Sequence, residues 1–345
     1  MKGANGHAAA AIALAALGLG CVATGLPADE LPGEPIAFVY YDAEETRRRA
    51  ADVAEKSGGK PAPRDQGAVI AALDDVSSYI RKSLGVSPSD AGGRYPGRLA
   101  LIDPRTAKVT IIEGARKGAI PQDWSPDRER LLFSQVVRRG IPHLFEYVLA
   151  TGEVRRRTSG RDAHPEGCYG PDGHIVYTSV DTRAKQRNAR IMISGPTGGG
   201  GRRLSAPGYA FYPTCAPDGS AVAWTRVDDR GRRIQLVVRA PVLGGEPRVL
   251  SRGKDPSFSA DGRWIVFSAR IENEWTLWRV RPDGSGRASL GRDGNDEQRP
   301  SLSPDGRFVV YVADTKLHQE LYLRRLDGTG NRILLAGYDG DRPVW

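Results

Sequence analysis

The chain has 345 residues with 42 glycines and 24 prolines, a composition that favours many short strands joined by tight turns. Its formal net charge of +9 suggests an anionic partner or a solvated basic surface. The sequence contains no G-x-S-x-G, H-E-x-x-H, C-x-x-C or phosphate-binding glycine motif, so it offers no catalytic set and implies no cofactor.

The N-terminus indicates export from the cytoplasm. Lys2 precedes an apolar run from Ala8 to Gly20, which has the length of a signal-peptide core and is too short to span a bilayer as a stable helix. We therefore interpret residues 1–21 as a signal peptide and residues 22–33 as a linker. Export makes nucleic acid an unsuitable partner for the basic charge.

Cys21 is a candidate lipidation site. The small residues Gly18 and Gly20 in front of it resemble a bacterial lipoprotein cleavage site, although leucine is usual at the position of Gly18. Two outcomes stay open. The chain is either a lipoprotein of the periplasm or outer membrane, with the lipid as its only membrane contact, or a plainly secreted protein.

The rest of the chain is dominated by a repeated hairpin with a Pro-Asp-Gly turn, seen most clearly in Arg299–Asp314, RPSLSPDGRFVVYVAD. Proline presets φ at the first central position, aspartate hydrogen-bonds its own backbone, and glycine accepts positive φ. The residue two positions before the proline site, aromatic in most copies, recurs every 43 to 46 residues. It is Trp124, Tyr169, Cys215, Phe258, Leu302 and Trp345.

Each period predicts four strands, which is the content of one propeller blade. The first unit has strands at Ile36–Tyr41, Leu99–Ile102 and Val109–Ile112 but no innermost strand of its own. The C-terminal residues DRPVW match the start of the motif and supply that strand. We predict an all-β fold over residues 34–345, a six-bladed β-propeller of four-stranded blades whose ring is closed by the C-terminal strand.

These hairpins resemble the repeats of TolB-type β-propellers of bacterial envelopes, also described as WD40-like, over roughly residues 34–345. The truncated ending Arg342–Trp345 is similar to the way that family closes its ring. The resemblance implies an envelope protein that binds other proteins. We expect a relative without the separate N-terminal domain of TolB. Prolyl oligopeptidase-type enzymes and some sugar-acid lyases carry similar blades, so the motif is specific for the fold and not for the function.

Residues 43–94 interrupt the first blade between its second and third strands. Glu44–Lys56 is predicted to be helical, and Gly67–Leu84 is predicted to be a helix with one apolar stripe. Successive connections in an up-and-down blade alternate between the two faces of the disc. This helical insertion is therefore expected at the mouth of the central channel, either as a lid or packed on the rim of the first blade.

The residues that enter the innermost strands should ring the same mouth. Three positions before the aromatic site they are Pro121, Glu166, Tyr212, Asp255, Arg299 and Arg342. Acidic side chains lie on one arc and arginines on another, which suits a peptide or protein segment with charges of its own. We predict that the last five of these residues bind the partner. The alternative is that they only pair with one another.

Three histidines and two cysteines are further candidate sites. Because the connections alternate between the two faces of the disc, we also expect three histidines on the mouth face: His143, His164 and His318. They are candidate metal ligands, although their spacing in the sequence does not require them to lie close together. Cys168 and Cys215 lie in adjacent innermost strands at positions that should point to opposite sides. A disulfide is one option in an oxidising compartment, and two buried free thiols are the default expectation.

The sequence therefore favours a monomeric, non-enzymatic scaffold of the cell envelope that binds a protein or peptide at the channel mouth. The alternative function is binding or lyase-type cleavage of an acidic oligosaccharide, with a metal at the mouth. That alternative would use Arg299, Arg342 and the three histidines.

Overall fold

The computed structural model describes residues 25–42, 44, 97–137, 140–182, 188–195, 201–206, 208–227, 234–239 by backbone alone, 246–272, 274–314, 319–335 and 340–345. Four predictions lie outside these residues: the signal peptide, lipidation at Cys21, the helical insertion apart from Glu44, and the placement of His318. Within the described part, no helix is long and apolar enough to cross a membrane.

The described chain is built almost entirely of short strands. The first twelve are β1 Ile36–Tyr40, β2 Arg98–Ile102, β3 Val109–Ile111, β4 Ile120–Trp124, β5 Arg130–Val136, β6 Pro142–Val148, β7 Val154–Arg156, β8 Gly167–Tyr169, β9 Ile175–Val180, β10 Ala189–Ile193, β11 Arg202–Arg203 and β12 Tyr209–Cys215. The next twelve are β13 Val222–Val227, β14 Ile234–Arg239, β15 Arg248–Arg252, β16 Lys254–Phe258, β17 Ile265–Ile271, β18 Glu274–Val280, β19 Ala288–Ser289, β20 Asp296–Leu302, β21 Phe308–Asp314, β22 Gln319–Arg325, β23 Asn331–Leu335 and β24 Gly340–Val344. Single-turn 3₁₀ helices lie at Ala28–Glu30 and Pro171–Gly173.

These strands form an all-β propeller, but with five sheets in the described chain rather than the six separate blades predicted. Four sheets have four strands each, in the orders β24-β1-β2-β3, β4 to β7, β16 to β19 and β20 to β23. The fifth has eight strands, β8 to β15. It joins two consecutive four-stranded repeats because Ala189 in β10 pairs in parallel with Tyr209 in β12. The sequence did not predict this pairing, because the pairing depends on how closely two neighbouring repeats approach each other.

The turn motif is held by its own side chains. Ser303 Oγ donates to Asp305 Oδ1 at 2.6 Å and accepts from the backbone N of Phe308 at 2.9 Å. Gly306 completes the turn with φ of 70°. The same serine–aspartate contact recurs between Ser259 and Asp261 at 2.6 Å. A local sequence signal therefore sets the hairpin in the repeats that carry this serine.

The C-terminal strand closes the ring, as predicted. β24 pairs antiparallel with β1, so the last residues of the chain form the innermost strand of the first sheet. Trp345 is buried, its backbone N donates to Ser301 Oγ at 3.0 Å, and its indole Nε1 donates to the carbonyl of Glu34 at 3.0 Å. These contacts join the end of the chain to the first and last repeats.

The residues just before β1 cover the same seam. Leu26 and Leu31, which fall in the predicted linker, are buried in the core cluster that also contains Trp345. Gly25 forms an isolated parallel bridge with Asn331. The segment therefore packs across the junction between the first and last repeats.

A disulfide joins Cys168 in β8 to Cys215 in β12, with 5.8 Å between their Cα atoms. This corrects the default expectation of two free thiols. The alternation of side-chain directions along a strand does not decide whether the two cysteines can bond. β8 and β12 belong to neighbouring repeats and do not pair with each other, so their side chains are not compared within one sheet register. Their side chains meet across the gap between two innermost strands.

We expect Trp345→Ala to lower the free energy of unfolding by about 3–5 kcal/mol, the usual cost of emptying a buried tryptophan site. Ile333→Ala is the control, because the side chain of Ile333 is 48% exposed and its loss should be nearly neutral. Urea unfolding followed by tryptophan fluorescence and circular dichroism measures both. Equal losses in the two variants would contradict a ring closed by Trp345.

Removal of the disulfide should also destabilise the protein. The cysteines are 47 residues apart, and a bridge of this kind typically contributes about 2–5 kcal/mol, largely by restricting the unfolded chain. We expect the Cys168→Ala/Cys215→Ala variant to melt below the wild type. Reductant should lower the melting temperature of the wild type and leave that of the double variant unchanged. A wild type that is insensitive to reductant under unfolding conditions would contradict the bridge.

Candidate functional site: the central channel

The innermost strands surround a cavity of about 290 Å³ on the propeller axis. We call it the channel cavity. Its lining comes from β4, β8, β12, β16, β20 and β24, from the turns that follow them, and from Glu166 directly before β8. All five predicted partner-binding residues line it: Glu166, Tyr212, Asp255, Arg299 and Arg342. The structure therefore brings the five together, and their role in binding stays a prediction.

Four of these residues adopt an unusual backbone conformation. Tyr212, Asp255, Arg299 and Arg342 have φ of 52°, 54°, 53° and 49°. Each precedes a proline, and the strand pairing shifts register at or next to each of them. A non-glycine residue in the left-handed region costs of order 1–3 kcal/mol and persists only where the surroundings impose it. The bulges place these residues on the channel wall, so the strain coincides with the site.

Glu166 is the most buried carboxylate of the channel cavity, with 2% of its surface exposed. Its Oε2 accepts hydrogen bonds from the backbone N of Tyr212 at 2.7 Å and from Thr178 Oγ1 at 2.8 Å. No described protein group donates to its other oxygen, Oε1, which is also buried. Burial raises the pKa of Glu166 to about 7, against the opposing effect of the Arg342 guanidinium.

Asp255 lies in the same electrostatic cluster and is 8% exposed. Its backbone N donates to Thr225 Oγ1 at 3.1 Å. Its Oδ2 is buried without a hydrogen bond from the described residues and lies 3.6 Å from Lys254 Nζ. That ammonium is engaged elsewhere, since it donates to Gln298 Oε1 at 2.6 Å and lies 4.4 Å from the ring centre of Trp275.

The arginines form the basic side of the channel cavity. Arg299 forms an ion pair with Asp341, the residue just before Arg342. Arg342 lies over the ring of Tyr212, with 5.5 Å between its guanidinium carbon and the ring centre. The electrostatic effects of Arg342 extend to Glu166 and Asp255, so the acidic and basic sides face one another across a narrow space.

Sequence reasoning missed Asp123, which also lines the channel cavity. Burial raises the pKa of Asp123 to about 7, and its Oδ2 accepts from the backbone N of Tyr169 in the next repeat at 2.8 Å. The equivalent position in two other repeats is occupied by Thr214 and Ser301. Thr214 Oγ1 accepts from the backbone N of Phe258, and Ser301 Oγ accepts from the backbone N of Trp345. A polar residue directly before the aromatic site was the available signal. Its function is to tie neighbouring innermost strands together.

The structure brings two of the three candidate histidines together but not in the channel cavity. His143 Nδ1 and His164 Nδ1 are 3.1 Å apart, and both residues are buried. Burial lowers the pKa of His143 to about 4 and that of His164 to about 3, so both imidazoles are neutral at pH 7. Neither lines the channel cavity. His143 lies in β6 and His164 lies just before β8, and the prediction that both lie on the mouth face stays a prediction.

Across the described ranges, no three His, Cys, Asp or Glu side chains are grouped so that they could hold a metal ion. The neighbours of the two contacting histidines include Thr158, whose Oγ1 lies 3.5 Å from His143 Nδ1, and the ring of Tyr177 beside His164.

Comparison with curated proteins finds two similar sequences, and no family model matches the chain. Atu1656 of Agrobacterium fabrum, described as uncharacterized, is 24% identical over 216 residues, or 60% of this chain and 69% of that protein. YuxL of Bacillus subtilis, described as an uncharacterized peptidase, is 25% identical over 190 residues, or 51% of this chain and 26% of that protein. The chain thus matches about a quarter of YuxL.

Solved structures similar to this chain include two TolB-type propellers. A protein assigned as TolB from Agrobacterium tumefaciens has a TM-score of 0.58 and 22% identity over 69% of this chain and 87% of that one. TolB from Acinetobacter baumannii has a TM-score of 0.61 and 18% identity over 92% of this chain and 68% of that one. An oligogalacturonate lyase in complex with manganese scores 0.50 at 15% identity, over 69% of this chain and 70% of that one. These likenesses show a TolB-like β-propeller fold.

The raised pKa of Glu166 predicts a pH effect on stability. The carboxyl has a pKa of about 7 in the folded protein and 4.5 as its ordinary value, so the folded state binds the proton more tightly. The contribution of this carboxyl to the free energy of unfolding is therefore full below pH 4.5 and is lost as the pH rises through 7. We expect Glu166→Gln to reduce the fall in unfolding free energy between pH 5 and pH 8 by roughly 2 kcal/mol, given about 1.4 kcal/mol per pKa unit.

Urea unfolding at a series of pH values measures this difference. Glu153→Gln is the matched control, because Glu153 is exposed and pairs only with Arg155 on the surface. The control should keep the pH dependence of the wild type. If Glu166→Gln keeps it as well, Glu166 does not have a raised pKa.

Proposed function

We propose that this protein is an exported, non-enzymatic scaffold of the cell envelope that binds a segment of a partner protein in the channel cavity. The observation that carries the proposal is the channel cavity itself, which is lined by buried carboxylates and arginines and where a carboxylate oxygen of Glu166 has no donor among the described residues. Such a site stores unfavourable electrostatic energy that a partner with charges of its own can relieve.

Two further observations support export. The N-terminal Lys2 and the apolar run that ends before Cys21 have the form of a signal peptide. The disulfide between Cys168 and Cys215 belongs to a type of bond that persists in oxidising compartments such as the periplasm. In our proposal the mature protein is a monomer held to the membrane by a lipid on Cys21 or released into the periplasm.

The size of the channel cavity limits what can enter it. A volume of about 290 Å³ lies at the lower end of ordinary ligand pockets. It accepts one or two side chains or a chain terminus, and a folded domain would have to dock outside. The strained residues before the prolines hold the walls in place, which reduces the entropy lost on binding.

The alternative function is binding or cleavage of an acidic oligosaccharide. Arg299 and Arg342 in the channel cavity favour it, and the manganese-bound oligogalacturonate lyase shares the fold. It is the weaker proposal, because His143 and His164 are buried away from the cavity and its wall carries Glu166 and Asp255, which repel a polyanion.

The scaffold proposal predicts a partner whose binding depends on the channel cavity. Cells that express the full chain are treated with a short-range cross-linker, the chain is isolated with an antibody, and cross-linked proteins are identified by mass spectrometry. We expect the Glu166→Gln/Arg342→Gln variant to lose at least tenfold of one cross-linked partner, as for a binding hot spot.

The control is Glu153→Gln/Arg155→Gln, which removes an exposed ion pair of the same composition elsewhere. It should recover the partner like the wild type, and circular dichroism should show all three proteins folded. If no protein is lost specifically with the channel variant, the scaffold proposal fails. Binding of oligogalacturonate by the wild type but not the channel variant would then favour the alternative.

A further inference from the structure

The acidic side of the channel cavity has two buried oxygens that the protein does not saturate. Glu166 Oε1 and Asp255 Oδ2 are both buried, and no donor among the described groups forms a hydrogen bond with either. Both residues are more than nine-tenths buried and line the channel cavity. Buried carboxylate oxygens without donors are costly, and native proteins rarely leave them so.

From this geometry we infer that the channel cavity binds a primary ammonium group, which a lysine side chain or the amino terminus of the partner segment would carry. The inference rests on the proposed function and names the chemical group that the site selects. An ammonium has three diverging N–H donors. In our proposal two of them are directed at Glu166 Oε1 and Asp255 Oδ2, whose carboxyl groups already interact electrostatically in the channel cavity.

A guanidinium fits this arrangement less well. Its planar fork is matched by two free oxygens of one carboxylate. Glu166 has only one such oxygen, because Oε2 already accepts from Tyr212 N and Thr178 Oγ1. A compact ammonium needs only one acceptor on each carboxylate, and the two orphan oxygens provide this.

A divalent metal ion also fits less well. Calcium and magnesium need about six oxygen ligands, most of them from protein in a dedicated calcium site. Here Arg342 and the ammonium of Lys254 act on the same carboxylates. Their positive charges oppose a doubly charged ion more strongly than a singly charged one.

Lys254 does not already fill this position. Its Nζ lies 3.6 Å from Asp255 Oδ2, which is beyond hydrogen-bond distance, and its short bond goes to Gln298. Lys254 therefore screens part of the charge on Asp255 without donating a hydrogen bond to Oδ2. The incoming ammonium would supply the missing hydrogen bond and the charge that balances Glu166.

The test uses the full chain and three amidated five-residue peptides. The first is N-acetylated Gly-Gly-Lys-Gly-Gly, the second replaces its lysine with norleucine, which has a similar length and no charge, and the third is pentaglycine with a free amino terminus. Binding is measured by saturation-transfer NMR titration at pH 8. We expect at least one ammonium-bearing peptide to bind at least tenfold more tightly than the norleucine peptide.

Glu166→Gln and Asp255→Asn should each weaken that binding at least fivefold, whereas Glu153→Gln should leave it unchanged. Preference for the lysine peptide assigns the site to a side chain, and preference for pentaglycine assigns it to an amino terminus. Equal binding of the norleucine peptide, no binding of any peptide, or indifference to both channel variants overturns the inference. Channel-dependent cross-linking would still support the proposed function in each of those cases, so the two failures are distinguishable.

Discussion

The return of the last strand to the first repeat is the constraint on which the rest of the structure depends. β24 pairs with β1, so the two ends of the chain form one sheet and the propeller has no open inner edge there. The closure brings together residues far apart in sequence, which costs chain entropy. Burial of Trp345 and its bonds to Ser301 and Glu34 offset that cost. Arg342 reaches the channel cavity only because β24 takes this place.

The bulges connect the fold to the site. Each left-handed residue before a proline breaks the strand ladder at the point where the chain enters the channel wall. A regular strand would avoid this strain, and the protein repeats it at Tyr212, Asp255, Arg299 and Arg342 instead. Repetition of a costly local conformation at equivalent positions is typical of a feature that serves binding rather than stability.

The channel cavity combines two kinds of polar contact with different consequences. Asp123, Thr214 and Ser301 accept backbone hydrogen bonds from the next innermost strand and hold the ring together. Glu166 does the same with one oxygen, and in the described part of the chain no group donates to the other. One side chain therefore both ties two innermost strands together and lines the channel cavity.

The sequence by itself determined the repeat, the turn chemistry, the strand order within each repeat and the closing role of DRPVW. It also placed Glu166, Tyr212, Asp255, Arg299 and Arg342 on the channel wall. Most of these features depend on proline and glycine preferences and on neighbours along the chain, which are local. The closing role of DRPVW followed from the repeat period, because the first repeat has no innermost strand of its own. Only the tertiary structure decided that Cys168 meets Cys215, that His143 meets His164 away from the channel, and that Ala189 pairs with Tyr209 to merge two repeats. Each of these depends on an ångström-scale distance between neighbouring repeats, which no spacing within one repeat encodes.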